Sequence, residues 1–367
     1  MDGYALAPEV SSVSAAEPQR ISVIVPAYNA ARTLANCLAA LQAQSDGNYE
    51  VIVVDDSSTD SSLAIARDSG FQTIHLPVNK GQAVARNAGA AKATGAVFAF
   101  VDSDVIVPPE WIRTYRRLLS SFPNAAMICG GYSAHAGDSP AGCFGFYELA
   151  YRRRDMPAII DSASGANCVV RRADFEAVGG FPEYYLSARK PIETQRAASI
   201  AEDSELAYLL TQRGATIRWT RENDAAHHFR PSWRAYFRQQ SSYARAIVRS
   251  CFRFPGKLRQ KGVYRGEPVL PQLALVSLTI LAPVLAVLGL LNGTGAVALS
   301  LLALIGFVGF HRGFLQFLHR KRPALNWIQG IAVLYLCRVC WVWGVLTGLW
   351  DGASMRLSQA IWGRREH

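Results

Sequence analysis

The chain has 367 residues, half of them apolar, and 38 Lys and Arg against 28 Asp and Glu give it a formal net charge of +10. The seven cysteines are scattered, which excludes a disulfide framework and suits a reducing compartment. The one CxxC, Cys337 to Cys340, sits in an apolar stretch without the two further ligands that zinc needs, so packing explains it better.

The length allows roughly two to three domains, and one sizeable soluble domain plus a membrane part would fit. The basic balance suggests anionic partners such as phosphates or acidic lipid headgroups. Because the cations cluster beside apolar runs, no nucleic-acid partner is expected. Residues 1–20 lack a basic n-region and a long apolar core, so they read as a disordered tail and not as a secretory signal.

From Ile21 onward, short β-rich runs alternate with helical ones. Strands are predicted at Ile21–Val25, Val51–Val54, Phe71–His75, Val97–Val101 and Ala125–Cys129. Helices are predicted at Ala31–Gln44, Ser61–Asp68, Gln82–Lys92 and Pro109–Ser121. Continuous apolar strands alternating with helices mean an α/β domain whose parallel sheet is covered on both faces. Such sheets bind ligands beyond the carboxyl ends of their strands. Those ends carry Tyr28-Asn29, Asp55-Asp56 and Asp102–Asp104.

The stretch that follows is less regular, with Ser164–Asn167, a turn at Gly179–Pro182, a polar loop from Glu183 to Ser199 and a helix beginning near Glu202. A basic, aromatic helix over Trp233–Phe254 would suit a membrane interface or pack on the domain. Pro271–Leu291 is uncharged and, at about 31 Å as a helix, long enough to cross a bilayer core. After a turn at Asn292–Gly295, the shorter run Ala296–Phe310, which can extend past His311 and Arg312 by snorkelling, completes a hairpin. A third apolar run, Trp327–Trp350, has Arg338 near its middle, which is costly at bilayer centre, so it either spans or lies in the interface. Basic residues flank the hairpin, which places the soluble domain at the cytoplasmic face of a multi-pass inner-membrane protein. The expected organisation is a tail (1–20), an α/β domain (21–230), basic amphipathic interface helices (231–267), transmembrane or interfacial helices (268–350) and a basic tail (351–367).

The chemistry lies at the strand ends. Asp102 and Asp104 follow a buried strand and can hold a divalent cation through oxygen ligands, although the same pattern also suits a turn ahead of a helix. A cation there would bridge a diphosphate. Asp60 suits a helix cap, which leaves Asp56 for a base or ribose. Lys80 and Arg86 bring cations to the same crevice, Arg86 toward phosphate or base. Glu202-Asp203 is either a favourable first turn or a general base for an acceptor hydroxyl.

Val23–Asn29, Val53–Asp60, Gly81 with Ala85–Gly89, and Phe100–Asp104 together resemble the family 2 glycosyltransferases. Gly179–Pro182 and Glu202-Asp203 extend the likeness to about residue 230. The resemblance implies a GT-A fold (Rossmann-like, mostly parallel), a UDP- or GDP-linked sugar donor, Mg²⁺ or Mn²⁺, and inversion at the anomeric carbon. By position it implies nucleotide contacts from Pro26, Tyr28 and Asp56, ribose or diphosphate contact from Asp102, metal ligation by Asp104 and base catalysis by Asp203. His228 falls where related enzymes place a histidine near diphosphate or metal, and it is equally suited to a structural role at a strand end. The expected acceptor is lipid-linked or another membrane-proximal glycan.

The chain departs from processive members of that family, which have Gln-x-x-Arg-Trp on an interfacial helix. The comparable stretch here, Gln239–Arg245, lacks the Trp, which favours single-sugar transfer over polymer synthesis. A nucleotidyltransferase would favour a Gly-rich loop after the first strand, where this chain has Pro26-Ala-Tyr-Asn29. A catalytically inactive membrane scaffold is the other alternative.

Overall fold

The computed structural model describes residues 19–183, 201–259, 269–322 and 326–362, the side chains of 258, 259 and 354–362 excepted. The expected N-terminal tail, the loop beyond Glu183 and the last five residues lie outside the described residues.

The first half follows the predicted alternation: β1 (Ile21–Ala27), α1 (Leu34–Gln42), β2 (Tyr49–Asp55), α2 (Ser62–Asp68), β3 (Gln72–His75), α3 (Gln82–Lys92) and β4 (Val97–Val101). Next come β5 (Val105–Ile106), α4 (Trp111–Ser121), β6 (Ala125–Cys129), β7 (Tyr132–His135) and α5 (Pro140–Arg152). The domain is completed by β8 (Ile159–Ile160), β9 (Asn167–Arg171), α6 (Arg172–Ala177), α7 (Glu202–Gln212), β10 (Thr216–Trp219) and β11 (Ala225–His227).

Eight strands form one sheet in the order β3-β2-β1-β4-β9-β6-β10-β8, and β5-β11-β7 form a smaller one. Pairing is parallel from β3 through β4 and between β6 and β10. Strand β9 runs antiparallel to both β4 and β6, and β8 antiparallel to β10, so the sheet is mixed and not wholly parallel. Strand β9 was not predicted, because its apolar stretch, Cys168–Val170, is too short to stand out by periodicity.

Strands β1, β2 and β4 are almost continuously apolar because both faces are buried, whereas β3, at the sheet edge, is polar and partly exposed. On one face Val23, Val25, Val53 and Ala99 pack with Leu34, Leu38 and Leu41 of α1 and with Trp111, Tyr115 and Leu118 of α4. On the other, Ile24, Ile52, Val54, Phe98 and Phe100 pack with α3 and with Leu206 and Leu210 of α7. Helix α3 approaches this face closely at Gly89, where a Cβ would stand 2.5 Å from Ile24 Cγ2 and 3.2 Å from Val54 Cγ2. Gly89→Val is therefore expected to destabilise the domain by about 1–3 kcal/mol through overpacking. The check is a lowered midpoint of thermal unfolding in detergent; an unchanged midpoint would mean that the layer gives way without cost.

The C-terminal half is helical: α8 (Trp233–Arg253), a 3₁₀ turn (Pro255–Arg259), α9 (Val269–Val287), α10 (Gly293–Lys321) and α11 (Trp327–Trp362). Three helices are long and apolar enough to cross a membrane. Helix α9 ends at Gly289, whose φ of 70° is the left-handed conformation that closes a helix. Asn292 caps α10, its side chain accepting from the Gly295 N–H at 2.6 Å, so the expected turn is largely the first turn of that helix. The second span runs on past Phe310, as the sequence allowed, but snorkelling fails as the reason at His311, which is buried against Phe307. The boundary at residue 350 also fails. Helix α11 continues to Trp362, since Asp351 is matched by Arg245 at 2.7 Å and does not end the helix.

A third apolar cluster joins this region to the sheet domain. Phe144 of α5 packs with Tyr236 of α8 and Phe314 of α10. At its centre Arg338 is only 1% exposed, yet it is paired, with Gln272 Oε1 at 2.6 Å and Glu148 Oε1 at 3.5 Å. Glu148 also accepts from Arg152 and Tyr236. The cation whose cost was expected from sequence thus finds a carboxylate on α5, in the sheet domain.

Candidate active site

The loops at the carboxyl ends of β1 and β2 are bonded to each other. The Asn29 N–H donates to Ser58 Oγ at 3.0 Å, the Thr59 N–H to Asn29 Oδ1 at 2.8 Å, and the Ala30 N–H to Ser62 Oγ at 2.7 Å. Asn29 and Ser57 take up left-handed φ values of 49° and 61° to make these turns. Asp60 accepts from the Ser62 N–H at 3.0 Å, as a cap would, and from the Ala31 N–H at 3.2 Å, so it also ties the loops together. Asp55 is fully buried and meets His75 Nδ1 at 2.8 Å.

Asp56 sits at the base of the crevice. Its two oxygens accept the backbone N–H groups of Lys80 (2.8 Å) and Gly81 (2.7 Å), which fixes the turn into α3. Pro26 is buried beneath, and Tyr28 stands 41% exposed at the rim.

Arg86 organises the centre. It is 2% exposed and bridges two carboxylates from distant segments, Asp102 Oδ1 at 2.7 Å and Glu202 Oε1 at 2.9 Å. Burial works against its charge, but Asp102, Glu202 and Asp203 more than offset this and push its pKa up. Its guanidinium also lies 5.1 Å from the Phe181 ring centroid. Gln82 adds a bond to Asp102 Oδ1 at 2.7 Å. Asp203 accepts the Gly165 N–H at 3.1 Å, which sets the first turn of α7 against the loop before β9.

Asp104 faces the histidines of β11 and beyond. The His228 N–H donates to the Asp104 carbonyl at 2.8 Å, and His227 Nε2 lies 3.3 Å from Asp104 Oδ1. Burial would raise the pKa of Asp104, but His227 and Arg230 outweigh it and hold the carboxyl below the ordinary range. Burial, more than any other influence, lowers the pKa of His228 and favours a neutral ring.

The structure thus gathers Asp102, Asp104, Asp203, Arg86 and His228 around one end of the sheet, with Pro26, Tyr28, Asp56 and Lys80 along the neighbouring crevice. Arg86 differs from the sequence expectation. It is spent on two carboxylates beneath the site instead of being directed at a phosphate. Gln82 and His227 were not singled out, and Glu202 was named only together with Asp203, which alone was assigned the base role. Glu202 was legible as half of an acidic pair. However, adjacent residues on a helix point about 100° apart, and only the fold decides which of them turns inward. A further unpredicted feature is a cleft lined by Tyr132, Phe146, Leu149, Arg153, Trp219 and Asp224 among others, connected to Asp104 through His227, whose ring lies 4.7 Å from that of Tyr132. There the Arg153 guanidinium lies over the rings of Tyr132 (5.7 Å) and Trp219 (5.1 Å).

Among the described residues, no three His, Cys, Asp or Glu side chains are grouped to hold a metal ion by themselves. His228 Nε2 is nevertheless a buried atom without a hydrogen-bond partner, Asp104 Oδ1 has only the His227 ring at 3.3 Å, outside hydrogen-bond geometry, and the two residues are joined through their backbones. Such a pair fits a cation that takes one or two protein ligands and draws the rest from substrate phosphates, as Mg²⁺ commonly does.

Residues 22–179 match the family model described as Glycosyl transferase family 2. The chain is 28% identical over 197 residues to the glycosyltransferase AglE of Haloferax volcanii, covering 48% of this chain and 60% of that one. It is 30% identical over 289 residues to an N-acetylglucosaminyltransferase of Mesorhizobium japonicum, covering 71% of this chain and 64% of that one. The chain therefore spans less than two thirds of the length of these relatives. Its fold is similar to that of the mannosyltransferase PcManGT from Pyrobaculum calidifontis, solved in complex with GDP-Man and Mn²⁺. The TM-score is 0.55 at 17% identity, over 92% of this chain and 88% of that one. The sheet domain accordingly has the GT-A fold, followed by three apolar helices.

Proposed function

We propose that this chain, whose residues 22–179 match the glycosyl transferase family 2 model, is a member of that family and moves a single sugar from a nucleotide diphosphate donor to an acceptor at the membrane surface, with inversion. The observation that carries the reading is the bridge made by Arg86. It holds the Asp102 loop and the first turn of α7 together, so that Asp203 stands close to the strand-end carboxylates. Donor and acceptor chemistry then meet at one point.

In this reading Pro26, Tyr28 and Asp56 receive the nucleotide, with Lys80 at the same mouth and Asp102 toward ribose or diphosphate. Asp203 accepts the proton of the acceptor hydroxyl as its oxygen bonds to the anomeric carbon. The bond from that carbon to the diphosphate oxygen breaks with its electron pair leaving on the nucleotide, and one displacement inverts the centre. Asp104, with Asp102 and His228 as further candidates, would hold Mg²⁺ or Mn²⁺, which neutralises charge on the departing diphosphate. Arg86 acts as a positioning residue. The aromatic cleft around Arg153 is the natural side for the acceptor.

The apolar helices and their basic flanks support a lipid-linked acceptor at the cytoplasmic face of the inner membrane, as in glycolipid or cell-surface polysaccharide synthesis. Single transfer is favoured over processive synthesis because the stretch comparable to Gln-x-x-Arg-Trp is engaged in helix packing. Gln240 accepts from Trp341 Nε1 at 2.9 Å, and Arg245 is paired with Asp351.

The test is turnover of a panel of UDP- and GDP-sugars by the purified full chain, with Mn²⁺ or Mg²⁺ and a membrane lipid extract. One donor class is expected to release nucleotide, and EDTA should abolish that release. If no donor is turned over and none binds by calorimetry, the catalytic reading fails in favour of a scaffold.

A further inference from the structure

Helix α11 has the length and hydropathy of a span, yet its neighbours keep it with the domain. Gly344, Gly348 and Gly352 face α8 at four-residue spacing. A Cβ on Gly348 would stand 2.9 Å from the Arg245 carbonyl oxygen, and one on Gly344 or Gly352 would overlap Ser241 or Phe252. Trp341 bonds Gln240 at 2.9 Å, and Arg245 forks onto Asp351 at 2.7 and 2.9 Å. The contacts advance in the same direction on both helices, so the pair runs parallel for roughly 16 Å.

Helix α8 is not built to cross a bilayer. Arg234, Arg238 and Arg245 form an exposed stripe along it. Its far end is tied to the first turn of α7, through Arg253 to Glu205 at 3.3 Å and, just beyond the helix, Lys257 to Ser204 at 2.8 Å. The second half of α11 therefore stays at the level of the sheet domain. Its first half meets the hairpin through Arg338 at Gln272, Tyr335 at Thr279 (2.5 Å) and Phe307 (5.8 Å), and Trp327 at His319 (6.2 Å). Gln272 and His319 mark the ends of α9 and α10 nearest the domain. Thr279 and Phe307 lie about midway along these helices, so α11 dips to mid-hairpin depth at Tyr335 but does not run on beside the far ends, at Val287 and Gly293, as a third span would.

The face of α11 opposite the glycines is apolar and open. Leu336, Trp343 and Trp350 are 49%, 65% and 78% exposed at seven-residue spacing, a stripe about 21 Å long. Tryptophans favour the polar boundary of a bilayer, and neighbouring arginines suit anionic headgroups.

We infer that α11 does not cross the membrane: its second half lies with α8 in the bilayer interface on the domain side, with Trp343 and Trp350 set among the headgroups of an anionic membrane and Leu336 toward the chains. The protein then has two spans, α9 and α10, and the end of α11 returns to the side of the sheet domain. Because α8 also grips the first turn of α7, the helix pair holds Asp203 near the membrane surface. The inference does not depend on the catalytic reading, and its test does not use activity.

Two measurements on the full chain test it. In the first, alkaline phosphatase or green fluorescent protein is fused to the C-terminus in a bacterial host, with phosphatase inserted at Gly293 as the exported control. A fluorescent, phosphatase-inactive C-terminus is expected, and a phosphatase-active one overturns the inference. In the second, tryptophan quenching in phosphatidylcholine–phosphatidylglycerol vesicles is compared between wild type and Trp343→Phe/Trp350→Phe. The difference signal should be quenched at least roughly twofold more by lipids brominated near the headgroup than by lipids brominated near the chain end. Stronger quenching from the chain end, or none from either lipid, overturns the interfacial placement.

Discussion

Asp203→Asn is expected to lower the rate of sugar transfer by about 10²–10⁴-fold, the range for loss of a positioned general base, while the donor still binds. The substitution keeps the size of the side chain and one acceptor oxygen. The Gly165 and Ser204 N–H groups bond different oxygens, Oδ2 at 3.1 Å and Oδ1 at 2.7 Å, so the amide keeps one of these bonds and loses the other. What disappears is the capacity to take a proton. The measurement pairs kcat for transfer with the donor Kd from calorimetry. A rate within tenfold of wild type would remove Asp203 from the chemistry and turn attention to Glu202. A lost rate with an equally weakened donor Kd would mean that the residue acts on the fold of the site.

Arg86→Ala should be the most damaging single change to the site as a structure. It leaves Glu202, whose side chain is 4% exposed, and Asp102 facing each other without the cation between them. Breaking a buried pair in this way costs about 3–5 kcal/mol, because the remaining charge stays desolvated. The expected result is a large fall in thermal stability together with loss of transfer. Arg86→Lys should recover part of the stability and little of the activity, since one ammonium cannot reproduce the fork that reaches two carboxylates. The double variant Arg86→Met/Glu202→Gln should be more stable than Arg86→Ala and still inactive. If Arg86→Ala folds with an unchanged midpoint and full activity, the bridge does not organise the site.

The sequence was most legible where burial is two-sided. The strands β1, β2, β4 and β6 were found within a residue or two because a strand covered on both faces admits only apolar side chains, and that run is local information. The carboxylates at their ends were legible for the same reason, since polar residues right after such a run must lie at the crevice. Helix α3 was matched end to end, bounded by Gly81 and Ala93. Strand β9, by contrast, has only three apolar residues and β11 is three residues long, and their place in a sheet comes from partners remote in sequence. The antiparallel insertion of β9 between β4 and β6 has no local signature.

What the sequence by itself determined, then, is the α/β class, the strand-end acids, the family resemblance and the presence of long apolar helices. Each rests on the side chains of a continuous segment. Only the tertiary structure decided that Arg86 bridges Asp102 and Glu202 from residues 16 and 116 positions away. It likewise decided that His227 as well as His228 meets Asp104, and that Arg338 finds Glu148 on α5. The same holds for α11, whose composition reads as a span while its glycine face is fitted to α8. Pairing energies and close approach depend on which surfaces meet, and the chain brings those surfaces together only once it is folded.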